Sequence, residues 1–363
     1  YRGARPTSRQ HYGLRSMNDE LIPDFLTSSW LSAALGAEVR GFTATRIGDG
    51  LVGMNLRLQL DAEPGAPATL VIKLPSPDPT SRATGIALRN YEREVRFYRE
   101  VASTVDVRAA ACHSADWDPD TGEFHLLLED LAPGAQGNQI VGCSVGQART
   151  AVLELARLHG PRWDDPTLAD LDWLQRRTTA DDTAALVGLW QLFVPGFLSM
   201  FSRYLDTEQV ELVERFGSRL ADWVDGHVGP LTVTHGDYRL DNLMFATELG
   251  GSPIAVVDWQ TPGHGTALSD VSYFLGAGLL SDERRRVERT LVDEYAEALA
   301  AYQVEVDEEW LWRQYCRDAF GGVIMSVVAS QVVGVSERSE AMFAAMATRH
   351  TQHALDLDSL SLV

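Results

Sequence analysis

Short apolar runs broken by glycine, proline and acidic turns fill the first third of this chain. Over residues 46–75, Met54, Leu56, Leu58 and Leu60 alternate with polar residues, "DAEPGAPA" follows, and "TLVIKL" is a second, more apolar run. Period-two alternation marks a half-buried strand and the continuous run a more buried one, so the segment predicts a hairpin with a glycine-rich entry. Before it, "TSSWLSAALG" starts on Thr/Ser and stops on glycine, the signals of a short helix. After it, "ALRNYEREVRFYREVA" puts Leu88, Tyr91, Val95 and Tyr98 on one helical face, with Glu94 at its border. "FHLLLEDLAPG" predicts a buried strand ending at a Glu-Asp pair and a Pro-Gly break. From "VGQARTAVLELARLHGPRW" onward the pattern is mainly helical, apart from strands around "LTV" and "IAVVDW". The shift places a boundary near Leu131.

Composition narrows the function classes. The 363 residues suffice for two lobes, and 45% hydrophobic with 23% charged residues is the balance of a globular protein. A net charge of -20 argues against a nucleic-acid partner, which needs a basic face to neutralise phosphates. It permits a cationic substrate without requiring one. Cys112, Cys143 and Cys316 are far apart with no CxxC spacing, which predicts a reducing, cytoplasmic setting and no zinc or disulfide framework. The apolar run from Gly321 is too short to span a bilayer, so it is read as a buried helix and no membrane partner is expected. Residues 1–26 are expected to be a partly disordered extension, with Met17 a candidate start.

The candidate chemistry sits in "THGDYRLDNLMF". Asn242 follows Asp237 by five residues, and sixteen further on "IAVVDW" delivers Asp258 at the end of an apolar strand. A loop-borne acid, an amide oxygen and a second acid on a neighbouring strand are what phosphoryl transfer from Mg-ATP needs. One carboxylate orients or deprotonates the acceptor hydroxyl, while the amide oxygen and second carboxylate are hard ligands for magnesium. Lys73 lies within the strand-like "LVIKLP", where a lysine is costly without a partner. Glu94 is a candidate partner, with Glu92 competing. "GDGLVG" supplies Gly48, Gly50 and Gly53 at the head of the hairpin that leads to Lys73, the context of a phosphate-covering loop.

With these residues in view, the sequence resembles the aminoglycoside phosphotransferase and choline kinase superfamily, which has the protein-kinase-like fold. "RNYEREVRFYREVA", "FHLLLEDL", "ELARLHGPRW" and "VVDWQTPGHGTALSDVSYFL" bring it nearest the ecdysteroid-kinase-like branch. The resemblance implies an α+β, two-lobed architecture. Residues 27–130 would form a small antiparallel-sheet N-lobe with one helix, and 131–363 a larger, mainly helical C-lobe. It implies Asp237 as catalytic base, and Asn242 and Asp258 as magnesium ligands. Lys73 would contact the nucleotide phosphates, held by Glu94, and the backbone near Glu129 and Leu131 would meet adenine. His235 and Asp270 would support the catalytic loop. The segment "GAQGNQIVGCS" resembles the branch only loosely, and no residue is carried over from it.

The expected function is therefore ATP- and Mg-dependent phosphorylation of a hydroxyl on a small molecule, either a steroid- or lipid-like alcohol or an aminoglycoside. Only "WQTPGHGTALS" separates Asp258 from Asp270, too short to dock a polypeptide as a protein kinase does. Two other readings stay open. His235, Asp237, Asp258 and His264 could serve a metal-dependent hydrolase, or the chain could be a silent nucleotide-binding regulator. Arg239 is open between a phosphate contact and a salt bridge to Asp241.

Overall fold

A computed structural model describes residues 22–48, 52–174, 179–227, 229–334 and 336–363. Helix α1 (Ser28–Leu35) is capped by the Thr27 side chain, which accepts from Trp30 N–H, and ends at left-handed Gly36. Strands β1 (Val39–Ile47), β2 (Gly53–Ala62) and β3 (Thr69–Pro75) follow, then helices α2 (Pro79–Ala87) and α3 (Asn90–Arg96), and strands β4 (Cys112–Trp117) and β5 (Phe124–Glu129). The five strands form an antiparallel sheet in the order β1-β2-β3-β5-β4. Met54, Leu56 and Leu58 of β2 and Leu70, Ile72 and Leu74 of β3 share one apolar cluster with Leu31 of α1. Burying such side chains supplies about 1.5–3 kcal/mol each, the main force holding the sheet to its helix.

The helical expectation after β3 needs one correction. The chain does not run as a single helix through Leu88. It breaks there, with Arg89 in the left-handed region (φ 58°) and Leu88 half-exposed instead of on the buried face. The buried face starts at Tyr91, which stacks on Phe124 with Val95 in the same cluster. So α1, α2 and α3 all flank the sheet. Beyond Arg96 the helix widens into a π-type turn over Phe97–Val101, a local irregularity often found near functional sites.

The remainder is mainly helical. A short strand β6 (Ala135–Gln136) precedes α4 (Val145–His159), α5 (Ala180–Phe201), α6 (Thr207–Gly217) and α7 (Leu220–Asp225). Then β7 (Thr232–Thr234), β8 (Leu243–Thr247), β9 (Gly250–Val256) and β10 (Gly263–Gly265) lead to α8 (Ala267–Gly278), α9 (Ser281–Leu299), α10 (Glu308–Val332) and α11 (Glu337–Asp356). The β6-β8-β9 sheet and the β7–β10 pair carry the loop that begins at His235. One large core joins α4, α8, α9 and the start of α10 to Phe97 and Val101, so the end of the α3 segment is packed into the helical part. Among the described residues one helical stretch, Ala180–Tyr204, is long and apolar enough to cross a membrane. Its Leu186, Trp190, Phe197 and Phe201 pack against residues of α6 and α10.

Candidate active site

Lys73 sits near the end of β3, buried between apolar neighbours, and its ammonium is fully engaged. Nζ lies 2.8 Å from Glu94 Oε1 and 2.7 Å from Asp258 Oδ1. Glu92, the competing acid, instead pairs with Arg89 at 2.7 Å and Arg96 at 3.4 Å. Desolvation works against the Lys73 charge, but Asp258 and Glu94 outweigh it and hold the pKa above the ordinary lysine value. The same burial pushes the Glu94 carboxyl up despite Lys73, with Asp258 adding to the rise. For Asp258 desolvation also acts upward, and Lys73 overcomes it, leaving that carboxyl below the usual range.

The glycine-rich turn joins β1 to β2. Gly48 has φ 67° and is open to solvent on its Cβ side; Gly50 lies outside the described residues. At Gly53 a Cβ would stand 3.3 Å from Leu74 O and 3.5 Å from Lys73 Cε, so a side chain there would crowd the lysine. Tyr91 of α3 donates to Val52 O at 2.5 Å, so the segment bearing Glu94 also fixes the exit of this turn.

Asp258 follows β9 with φ 66°, an uncommon conformation for a non-glycine residue, of the kind that persists where surroundings over-determine it. Its successors supply that restraint. Trp259 stacks on Phe97 with ring centroids 3.8 Å apart and planes within 7°. Gln260 lies beside the Glu94 carboxylate and favours its charged form. The two residues after Asp258 thus tie it to the segment that presents Glu94.

The loop after β7 is locked by backbone bonds. Asp270, at the start of α8, accepts from His235 N–H at 2.6 Å and Gly236 N–H at 3.0 Å. His159 stands 3.4 Å from the same carboxylate and 2.9 Å from the Tyr295 hydroxyl. Within the His235 ring, Nε2 lies 3.1 Å from the Val257 carbonyl and Nδ1 faces Asp237 N–H at 3.3 Å. Only a neutral ring with its proton on Nε2 satisfies both. Gly236 has φ 78°, and a Cβ there would overlap the Thr261 carbonyl oxygen.

Asp237 is held from three directions. Asn242 Nδ2 donates to its Oδ2 at 3.0 Å and to its backbone oxygen at 2.9 Å. Arg239 Nε donates to Oδ2 at 3.0 Å, and Tyr273 hydroxyl to Oδ1 at 2.9 Å. Arg239 Nη1 also meets Asp241 at 2.7 Å, so the arginine bridges both acids of the loop. Each carboxylate oxygen has two acceptor directions, so Oδ1 keeps capacity for a further hydroxyl. Sequence reasoning missed Tyr273, although it stands three residues after Asp270 and so on the same face of α8. It also carried nothing from "GAQGNQIVGCS". There Gln139 accepts from Leu240 N–H at 2.9 Å, its own N–H donates to Asp241 at 3.1 Å, and Gln136 reaches the Asp241 carbonyl.

At the proposed adenine end, Glu129 is in β5, its carboxylate on Arg108 at 2.6 Å and its N–H on Ala111 O at 2.8 Å. Leu131 follows, and its carbonyl accepts from Gly134 N–H at 2.9 Å. Closer to Lys73 and Asp237, the Asn242 amide oxygen and Asp258 Oδ2 are hard oxygen donors for which no hydrogen bond is found among the described residues. They suit magnesium, which is usually bound by one or two carboxylates together with substrate phosphates and waters.

An antiparallel sheet with a lysine-glutamate pair, set against a helical part that brings Asp258 to that lysine, defines a two-lobed, kinase-like fold. The chain belongs to the phosphotransferase enzyme family, whose family model matches residues 44–315. The fold is similar to aminoglycoside 2'-phosphotransferase-IIIa in complex with GDP, at 13% identity and TM-score 0.54, covering 88% of this chain and 94% of that one. It is also similar to the ethanolamine kinase of Plasmodium vivax, at 12% identity and TM-score 0.50, covering 90% of this chain and 85% of that one. A curated relative in Caenorhabditis elegans, the uncharacterized oxidoreductase dhs-27, is 22% identical across 80% of this chain. The chain spans 40% of that protein's length.

Proposed function

We propose that this chain transfers the terminal phosphoryl group of ATP to a hydroxyl of a small molecule. The carrying observation is the Lys73 ammonium bridging Glu94 and Asp258, residues 21 and 185 positions away in sequence. In this reading Lys73 binds the nucleotide phosphates, positioned by Glu94. The glycine turn with Gly48, Gly50 and Gly53 covers them, and the backbone at Glu129 and Leu131 meets the adenine. Asn242 and Asp258 would hold magnesium, which when bound neutralises charge on the phosphate oxygens. Asp237, aimed by Asn242, Arg239 and Tyr273, orients the acceptor hydroxyl and takes its proton. His235 and Asp270 keep the loop in place.

For the acceptor we favour a neutral, largely apolar alcohol over an aminoglycoside. Tyr273 and Met342 border the Asp237–Arg239 pair, and Arg239 already neutralises the acids of the loop, Asp237 and Asp241, that a polycation would seek. The free cysteines, with the Cys112 thiol exposed, support a reducing compartment such as the cytoplasm.

The hydrolase reading has less support. Both His235 ring nitrogens are committed to backbone groups. Among the described residues no group of three or more His, Cys, Asp or Glu gathers as a metal site. The oxidoreductase name of the Caenorhabditis elegans relative finds no dinucleotide fingerprint in this glycine turn, which joins two antiparallel strands instead of a strand to a helix. An ADP-release assay over sterols, lipid alcohols, sugars, amino alcohols and aminoglycosides tests the proposal. Asp237→Asn should cut turnover by about 10²–10⁴ in that assay with ATP binding retained. Turnover near the wild-type rate in that variant would refute the role of Asp237.

A further inference from the structure

A cavity of about 570 Å³ lies between the start of α3 and the first half of α5, and none of the residues assigned to phosphoryl transfer lines it. Leu171, Trp173 and Leu174 form one wall, Leu186 and Leu189 another, and Arg89 and Arg93 line it from α3. The volume is that of a small-molecule site.

Most polar groups around it are committed to protein partners. Arg89 binds Glu92 through two bonds of 2.7 and 2.8 Å. Asp172 pairs with Arg96 at 2.9 Å, and Asp182 accepts from Thr179 at the cap of α5. Arg93 differs. Its Nη1 donates to the Leu88 carbonyl at 3.0 Å, but its Nε is buried without a partner. Among the described residues no carboxylate forms an ion pair with it; the neighbouring acids Glu92 and Asp172 pair elsewhere. Burial, with Arg89 nearby, pulls its pKa below the ordinary arginine value. The buried Nε–H is a donor that a bound anion could satisfy.

Among the described residues the remaining lining is apolar, which disfavours a bare inorganic anion. Leu189 is 40% exposed and Leu192, three residues on, 68%, so the apolar surface continues from the cavity along α5. We propose that this cavity binds an amphipathic monoanion, a carboxylate on an aliphatic or ring body, with its head on Arg93 and its body between Trp173 and the leucines of α5. The proposal rests on the cavity and its unpaired cation, and stands apart from the phosphotransfer reading.

Calorimetric titration of the full chain with decanoate, and with 1-decanol as the uncharged match, tests it. Decanoate should bind at one site. Arg93→Gln should weaken binding by about tenfold or more, and 1-decanol should bind at least about tenfold more weakly than decanoate. Leu189→Asp, at a half-exposed rim position that leaves the core intact, should also weaken decanoate by putting a charge into the apolar wall that its chain covers. Thermal melts check that both variants fold, and if Arg93→Gln does not, Leu189→Asp decides. Absence of saturable decanoate binding, equal binding by the folded Arg93→Gln or Leu189→Asp chain, or parity of 1-decanol with decanoate would overturn the assignment.

Discussion

The Tyr273 hydroxyl donates a 2.9 Å hydrogen bond to Asp237 Oδ1, from the same helix whose Asp270 holds the backbone of the Asp237 loop. Burial, and the adjacent Asp237 carboxylate, hold the Tyr273 phenol well above its usual pKa, so it remains a donor. A hydrogen bond to a charged group contributes about 1.5–3 kcal/mol. Tyr273→Phe is expected to lower kcat by about tenfold or more, with KM for ATP unchanged, because the phenol orients Asp237 without meeting the nucleotide. Steady-state kinetics on any acceptor found by ADP release would check it. Unaltered kcat would remove Tyr273 from the site.

The buried Lys73–Glu94 pair predicts a specific non-additivity. Lys73→Met leaves the Glu94 carboxyl, 1% exposed, without its cation, and breaking such a pair from one side costs about 3–5 kcal/mol. Adding Glu94→Gln removes the stranded charge. The double variant is expected to melt above Lys73→Met while neither turns over ATP. A urea-denaturation cycle over the four chains measures the coupling. Additive losses would show that the two side chains stabilise the fold independently.

Gly236→Ala should damage the loop more than a methyl group ordinarily would. The left-handed backbone at φ 78° costs a residue with a Cβ about 1–2 kcal/mol, and the Thr261 carbonyl occupies the space the methyl needs. The expected outcome is a lower melting temperature together with loss of phosphotransfer. Gly48→Ala, with nothing within 4 Å of its Cβ, should carry the backbone cost alone. A Gly236→Ala chain as stable and active as wild type would contradict this geometry.

Two buried histidines predict an acid-sensitive fold. Burial drives the His350 pKa well below the ordinary histidine value, with His353, Arg349 and Arg284 adding to the effect. Burial also lowers His353, partly offset by Glu288. The folded state therefore resists protonation of His350 strongly and of His353 less so, while the unfolded chain takes up protons near pH 6.5. Below that pH the unfolded state binds more protons, so stability falls as pH falls, by up to about 1.4 kcal/mol per pH unit from His350 and by less from His353. Denaturation midpoints between pH 7.5 and 5 should show the slope. His350→Leu should make it shallower, and an unchanged slope would exclude His350 as a source.

Much of the site was legible in the sequence because its chemistry is local. Asp237 and Asn242 share one loop, and Asp258 ends a strand whose apolar run is plain. Lys73 stands out because a charge inside an apolar strand demands a partner. The residues that escaped reading act across distance. Gln139 meets Leu240, 101 residues away, and Phe97 stacks on Trp259 from another element. Leu88 was misplaced because helical periodicity continues through a position where the backbone turns left-handed at Arg89.

The sequence alone determined the class of chemistry, the order of its residues and the alternation that builds the sheet, since these depend on residue type and nearest-neighbour spacing. Only the tertiary structure decided that Glu94 and not Glu92 meets Lys73, that Arg239 bridges two acids, that Tyr273 reaches Asp237 and that Arg93 lines a cavity with no carboxylate paired to it among the described residues. Those outcomes depend on which faces of separate helices are pressed together when the apolar core closes, and spacing along one strand or helix carries no information about the other.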